Sequence, residues 1–251
     1  MKPMSNARSA KALAIATTLV TTLIVSPVAE AAVTALAPHS VVEGKTIGEW
    51  SADWWRWAFS LGATDNPFTD GSQAAADNGQ PGGPVFFLAG TAAGPATRSF
   101  NVPADKYLLM PMVNAECSSL EGNGNTDADL RSCAAGLIDL VDGLTATGIT
   151  FPGSPFDFRE STPGTFSFEA VPGNAFGVGP GTADLAVADG YYMMLAPIGL
   201  GQYTIEYGGE VSSFDFTTLV SVTLNGVPEP ASLALIAVGL MGLVGMRRRA
   251  S

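Results

Sequence analysis

Histidine occurs once in these 251 residues, cysteine twice, and basic side chains number twelve against twenty-three acidic ones. Each scarcity removes a class of function. One histidine, His39, cannot build a multi-histidine metal centre, and two cysteines cannot build a four-thiolate zinc site. His39 is also the only imidazole open to a serine or cysteine hydrolase, yet it lies in a segment that reads as loop, and the chain has no Gly-x-Ser-x-Gly elbow. The shortage of positive charge sharpens when the two ends are set aside: residues 32–227 keep six Lys and Arg against twenty-one Asp and Glu, a net formal charge of −15. Nucleic acid is thereby excluded as a partner, because phosphate binding needs a concentrated basic face. No motif calls for a cofactor or a metal. A stretch of about 196 residues still suffices for one domain with a proper core.

Long apolar runs are confined to the two ends. Met1–Ala31 carries Lys2, Arg8 and Lys11, then fourteen uncharged residues from Ala12 to Val25, then Ala29-Glu30-Ala31. That is the layout of a secretory signal peptide, with small residues at Ala29 and Ala31 where a signal peptidase reads the chain, and cleavage expected after Ala31. At the other end Val227-Pro228-Glu229-Pro230 leads into sixteen uncharged residues, Ala231–Met246, followed by Arg247, Arg248 and Arg249. As a helix, residues 231–246 span about 24 Å, a little short of the roughly 30 Å hydrocarbon layer. Three arginines cannot follow that run into a protein core, and the positive-inside rule places them on the cytoplasmic side. Residues 231–246 are therefore read as a transmembrane helix.

Those three parts in that order resemble the PEP-CTERM sorting signal of exosortase-bearing Gram-negative bacteria. The resemblance implies recognition by a membrane-embedded exosortase and cleavage near Pro228–Pro230. It places an inner-membrane-anchored precursor ahead of a final home at the cell surface or in the extracellular matrix, where exopolysaccharide is a candidate partner. The two prolines suit a cleavage site, since they deny the segment helical geometry and keep it extended.

The domain between, residues 32–226, begins with a helix expected over 46–61. Thr46 and Glu49 have capping-box spacing, and Gly62 stands at the helix end. Ile47, Trp50, Trp54, Trp57, Ala58 and Leu61 make one apolar face, from which Trp55 and Phe59 are displaced. Trp55, beside Asp53 and Arg56, is thus a candidate for stacking a sugar ring, against the competing reading that every indole fills core. A second helix is expected over 128–141, its stripe including Cys133. In an exported chain an even cysteine count favours a Cys117–Cys133 disulfide over two free thiols, joining this helix to a strand end. Between them Asn123, Asn125, Asp127 and Asp129 alternate as calcium ligands do. Ala128 and Ala134, however, stand where an EF-hand loop needs glycine and glutamate, and a solvated turn with Asp127 as helix cap competes.

The rest reads as strands: 85–89, 97–102, 107–114, a break near 149–151, then 156–159, 165–171, 185–188, 191–196, 202–207 and 214–224, with Asp189-Gly190 as hairpin chemistry and Gly199-Leu200-Gly201 as a second reversal. This pattern predicts an antiparallel β-sandwich, jelly-roll or Ig-like, with two packed helices. Residues 50–61, 79–90 and 188–197 also resemble exported bacterial proteins of unassigned function, which supports a single intact domain and brings no activity with it. The functional expectation is a structural or ligand-binding surface protein, glycan being one candidate ligand, rather than an enzyme. The alternative is a carbohydrate-active hydrolase using a carboxylate pair drawn from residues such as Asp53, Glu116 and Asp157.

Overall fold

The computed structural model describes residues 33–69, 79–92 and 94–228. The signal peptide with Ala29 and Ala31, the helix expected at 231–246, and Glu229, Pro230 and Arg247–Arg249 lie outside them.

Three short strands, β1 (Val33–Thr34), β2 (Val41–Val42) and β3 (Lys45–Thr46), precede helix α1 (Ile47–Phe59). Then come β4 (Val85–Phe87), β5 (Ala96–Pro103), β6 (Tyr107–Ser118), helix α2 (Asp127–Ile138), β7 (Gly143–Thr147) and β8 (Ile149–Thr150). A 3-10 turn (Pro155–Phe158), closed by Ser154 and Asp157 where the sequence predicts a strand over 156–159, leads to β9 (Arg159–Ser161), β10 (Phe166–Ala170), β11 (Gly181–Leu195), β12 (Gly201–Val211) and β13 (Phe216–Val227). One sheet has the order β10-β11-β6-β4, with β9 also against β11, and the other the order β5-β13-β12-β7.

Burial explains the apolar pattern strand by strand. In the second sheet Ile205 and Tyr207 of β12, and Val220, Val222 and Leu224 of β13, point into the core between the sheets. The intervening Glu206, Ser221 and Thr223 are only half-buried and Thr204 is exposed, and the period-2 alternation of a one-sided sheet results. In the first sheet the central strands are covered on both faces. Leu108 and Met110, with Met193 and Leu195, join that same core, whereas Leu109, Tyr192 and Met194 pack beneath α1. Hence 108–113 and 191–195 run as continuous apolar stretches. The result is three layers: α1 on the outer face of the first sheet, and the second sheet on its inner face. Helix α2 closes one end of the inner face through Leu130 and Ala134 against Cys117 and Val187.

The disulfide joins Cys117 in β6 to Cys133 in α2 with 6.1 Å between Cα atoms, which ties helix to sheet as the sequence predicts. Four further expectations need correction. The pairing is mixed rather than antiparallel throughout, because β5–β13, β4–β6 and β1–β8 are parallel. Asp189-Gly190 is no turn but the middle of the 15-residue β11, opposite Ala115 and Asn114. Asp189 is held there by Arg159, Nε to Oδ1 at 3.0 Å, and Gly190 is required because an added Cβ would lie 2.7–2.8 Å from Asn114 and the Tyr192 ring. Helix α1 is capped at its C terminus by Ser60, not by Gly62, which instead bridges to Asn174. The N-cap of α2 is Thr126, whose hydroxyl accepts from the Asp129 N–H, and not Asp127.

Register also shifts inside β6. Tyr191 pairs with Val113 but Tyr192 with Pro111, leaving Met112 as the extra residue of a β-bulge. Pro111 has no N–H to give to the ladder, and bulges are where a strand accommodates proline. Beyond the bulge the Asn114 side chain comes out beside the α1 tryptophans.

Candidate ligand-binding groove

Helix α1 begins at a complete capping box. The Thr46 N–H donates to Glu49 Oε2 at 2.8 Å, and the Glu49 N–H donates to Thr46 Oγ1 at 3.2 Å. Such a cap stabilises a helix by about 1 kcal/mol. It also fixes Lys45, the residue before it, over the start of the helix. The bonds from Thr46 hold the Glu49 carboxyl below its ordinary range.

Three charged residues form a ridge on the open side of α1. Asp53 accepts from Lys45 Nζ at 2.6 Å and from Arg56 Nη1 at 2.7 Å. Arg56 also donates from Nε to the Ser167 carbonyl at 2.9 Å and lies 5.3 Å over the Phe166 ring, while Lys45 lies 4.6 Å over Trp50. The Asp53 side chain is 24 % exposed against 46 % for Lys45 and 43 % for Arg56, so the cations stand outermost.

A groove runs along each flank of this ridge. The larger, about 520 Å³, is walled by Trp50, Trp57 and Phe87 and by the loop carrying Pro81 and Pro84. The smaller, about 370 Å³, lies between Glu49 and the segment from Thr162 to Phe166. Lys45, Asp53 and Arg56 belong to both. The loop wall is pinned by Gln80, whose amide accepts from the Phe87 N–H at 3.0 Å and donates to the Phe87 carbonyl at 2.8 Å, imitating a neighbouring strand. Both volumes fall in the range of ligand clefts.

Trp55, the tryptophan singled out by the sequence, does not edge this groove. It is 6 % exposed, with ring centroids 5.0 Å from Trp54, 5.8 Å from Phe59 and 5.4 Å from Phe176. Aromatic packing on both sides of α1 buries all four indoles, and no surface platform remains at Trp55. Asp53 and Arg56 are in the groove as neighbours of a tryptophan, but the tryptophans concerned are Trp50 and Trp57. Lys45 carries no local sequence signal beyond its place before the cap.

The other sequence candidates are not brought together. Asp157 caps the 3-10 turn through the Ser154 N–H at 2.8 Å. Glu116 is buried in β6, and its carboxyl is pushed up to about 10, chiefly by loss of solvent and further by Glu121. His39 is exposed, with Nδ1 3.0 Å from the buried Glu160 carboxylate. In the 123–129 loop, Asn123 Oδ1 accepts from the Ser118 N–H, Asp129 bonds to Thr126, and Asp127 pairs with Arg131 at 2.9 Å.

At the far end of the domain, β13 pairs in register with β5 up to Val227 opposite Pro103, and the Val227 carbonyl accepts from the Ala104 N–H. An added Cβ on Gly226 would fall 1.8 Å from the Gly199 carbonyl oxygen, so that strand end is tightly enclosed. The PEP-CTERM protein-sorting motif matches residues 226–249, beginning on these last two residues of β13. It marks the chain as an exosortase-sorted exported protein whose precursor is anchored in the membrane by its C-terminal region. No curated protein and no solved structure matches the chain significantly.

Proposed function

We propose that the exported domain is a non-catalytic surface or matrix protein that binds an extended, hydroxyl-rich polymer, a polysaccharide, in the double groove along α1. Two clefts of about 520 and 370 Å³ sharing one charged ridge carry this reading. A single sugar does not need two clefts, but a chain crossing the ridge does. Lys45 and Arg56 present donors there and Asp53 and Glu49 present acceptors, the mixture that hydroxyl groups satisfy. The surrounding net negative charge disfavours polyanions elsewhere on the surface.

Binding is favoured over glycoside hydrolysis by the state of the carboxylates. Hydrolysis needs one carboxyl held protonated near a second ionised one. In the groove Glu49 is held below its ordinary range by Thr46, and Asp53 is bound to two cations. Glu116, whose carboxyl is raised, lines neither cleft.

On this reading the signal peptide takes the chain across the inner membrane, signal peptidase and exosortase process its two ends, and the domain reaches the cell surface or extracellular matrix. A glycan array probed with the exported domain, followed by titration of the best polymer against Arg56→Ala, tests the binding claim. At least tenfold weaker binding by the variant, with unchanged thermal unfolding, is expected. Equal affinity, or an array with no polymer bound, would remove the groove from the account.

A further inference from the structure

The sorting motif and the folded domain share residues. The motif matches from residue 226 and β13 runs to Val227, so Gly226 and Val227 belong to both, and no linker separates the last strand from Pro228. Pro228 is exposed and has no N–H with which to extend the ladder, so pairing stops there.

The last residues of a domain fray unless they are tied down, and the end of β13 is tied from both sides. Gly226 lies between Gly201 of β12 and Val102 of β5, and Val227 pairs with Pro103. The Ala104 N–H donates to the Val227 carbonyl at 2.8 Å, and the Ala104 carbonyl accepts from the Gly199 N–H at 2.9 Å, which fastens the strand end to the turn between β11 and β12. The Asn225 side chain spans the same three strands. Its amide nitrogen donates to Ser99 Oγ at 3.0 Å and to the Phe100 carbonyl at 3.2 Å, and its oxygen accepts from Gln202 Nε2 at 2.8 Å. At Gly226 a side chain would strike the Gly199 carbonyl, so only glycine closes the sheet this tightly.

We propose that this closed strand end gates the sorting cut, the folded domain slowing the exosortase and keeping its cut beyond Val227. A protease takes the chain on each side of the cut bond in extended form, offering it main-chain partners as a neighbouring strand would. On the amino side of Pro228 those main-chain groups already belong to β5 and β12. The end of β13 must therefore open before the protease can hold it, and the rate of cutting follows the population of the open form when opening is fast. The chemistry of the cut is unaltered: a peptide C–N bond breaks, and water gives its hydroxyl to the acyl carbon on the domain side and a proton to the departing nitrogen of the tail. The gate rests on the sorting motif and on the sheet, and it stands whatever the α1 groove binds.

Pulse-labelling of the full chain in a host that carries an exosortase measures the rate, and the intact mass of the product locates the cut. Inserting Gly-Ser-Gly-Ser-Gly-Val after Val227 leaves β13 whole and gives Pro228 an unpaired Gly-Val of its own. This chain should unfold at the parental temperature and be cut roughly tenfold faster, at the same distance from Pro228. Asn225→Ala lies outside the matched residues and removes three side-chain bonds; it should speed the cut about threefold. An inserted chain cut at the parental rate would overturn the gate whatever Asn225→Ala does, and so would a parental cut on the amino side of Val227. Chains left uncut in every version would overturn it together with the sorting on which it rests.

Discussion

Replacing Glu116 by glutamine should make the domain more stable at neutral pH and remove most of its pH dependence between pH 5 and 8. Glu116 is 8 % exposed and sits opposite Ala188 in the centre of the first sheet, with Oε1 unpaired. Desolvation first, and the neighbouring Glu121 second, raise its carboxyl from 4.5 to about 10. The folded protein therefore keeps a proton that the unfolded chain releases above pH about 4.5. Stability from this group is full below pH 4.5 and is lost steadily as the pH climbs toward 10. At about 1.4 kcal/mol for each pH unit above the unfolded value, the loss by pH 7 is about 3 kcal/mol. That figure depends on the unfolded value and is unchanged if the folded one is 9 rather than 10. Glutamine has the same shape and no proton to lose, so the variant should gain about 1–3 kcal/mol at pH 7 after allowance for altered bonds to Glu121. Urea unfolding followed by tryptophan fluorescence at pH 5, 6.5 and 8 measures this directly. The parent should weaken across the series while the variant stays nearly level. Parallel profiles for the two proteins would refute the buried, protonated carboxyl.

Other substitutions report on other layers. Cys117→Ser with Cys133→Ser opens a loop of sequence separation 16 and should cost about 3 kcal/mol in the same unfolding assay; an unchanged midpoint would mean that the bridge does not constrain the unfolded chain. Gly190→Ala forces a methyl group within 2.7–2.8 Å of Asn114 and Tyr192 and should cost about 1–3 kcal/mol as overpacking, while Gly136→Ala on α2, where nothing lies within 4 Å, should be neutral or stabilising. Thr46→Ala removes the capping box and should cost about 1 kcal/mol by thermal denaturation, with loss of helical circular dichroism confined to a small fraction of the signal.

What the sequence discloses is what short-range chemistry decides. Thr46 and Glu49 announce the start of α1 because a capping box needs nothing but its own four residues. The apolar stripe of α2 places Cys133 on the inner side for the same reason. The two-sided burial of β6 and β11 is visible as unbroken apolar runs at 108–113 and 191–195, and the open face of β10 as Phe166 and Phe168 alternating with Ser167 and Glu169.

What stays hidden is set by partners distant in the chain. Asp189-Gly190 has every local property of a turn, but Arg159 neutralises the aspartate from thirty residues away and the Asn114 backbone occupies the space a side chain would need. The parallel pairing of β5 with β13 joins segments more than a hundred residues apart, and no local pattern records it. Trp55 misleads because helical spacing assumes one buried face, whereas Phe176 and Phe68 cover the flank of α1 that spacing leaves open. The groove is half legible. Asp53 and Arg56 stand out beside tryptophans, but the opposing wall at Pro81–Val85 is delivered by the Gln80 contact and by tertiary packing.

On the function proposed above, tail and domain are separable, the tail directing the chain and the domain acting once it is released. The intact mass of the chain recovered from hosts with and without an exosortase tests this most directly. With the protease, the product should lose the tail by a cut after Val227, within or just beyond Pro228–Pro230, because the chain up to Val227 is locked in β13 against β5. An unchanged C-terminal mass in the presence of the protease, or a cut inside 216–227, would contradict it.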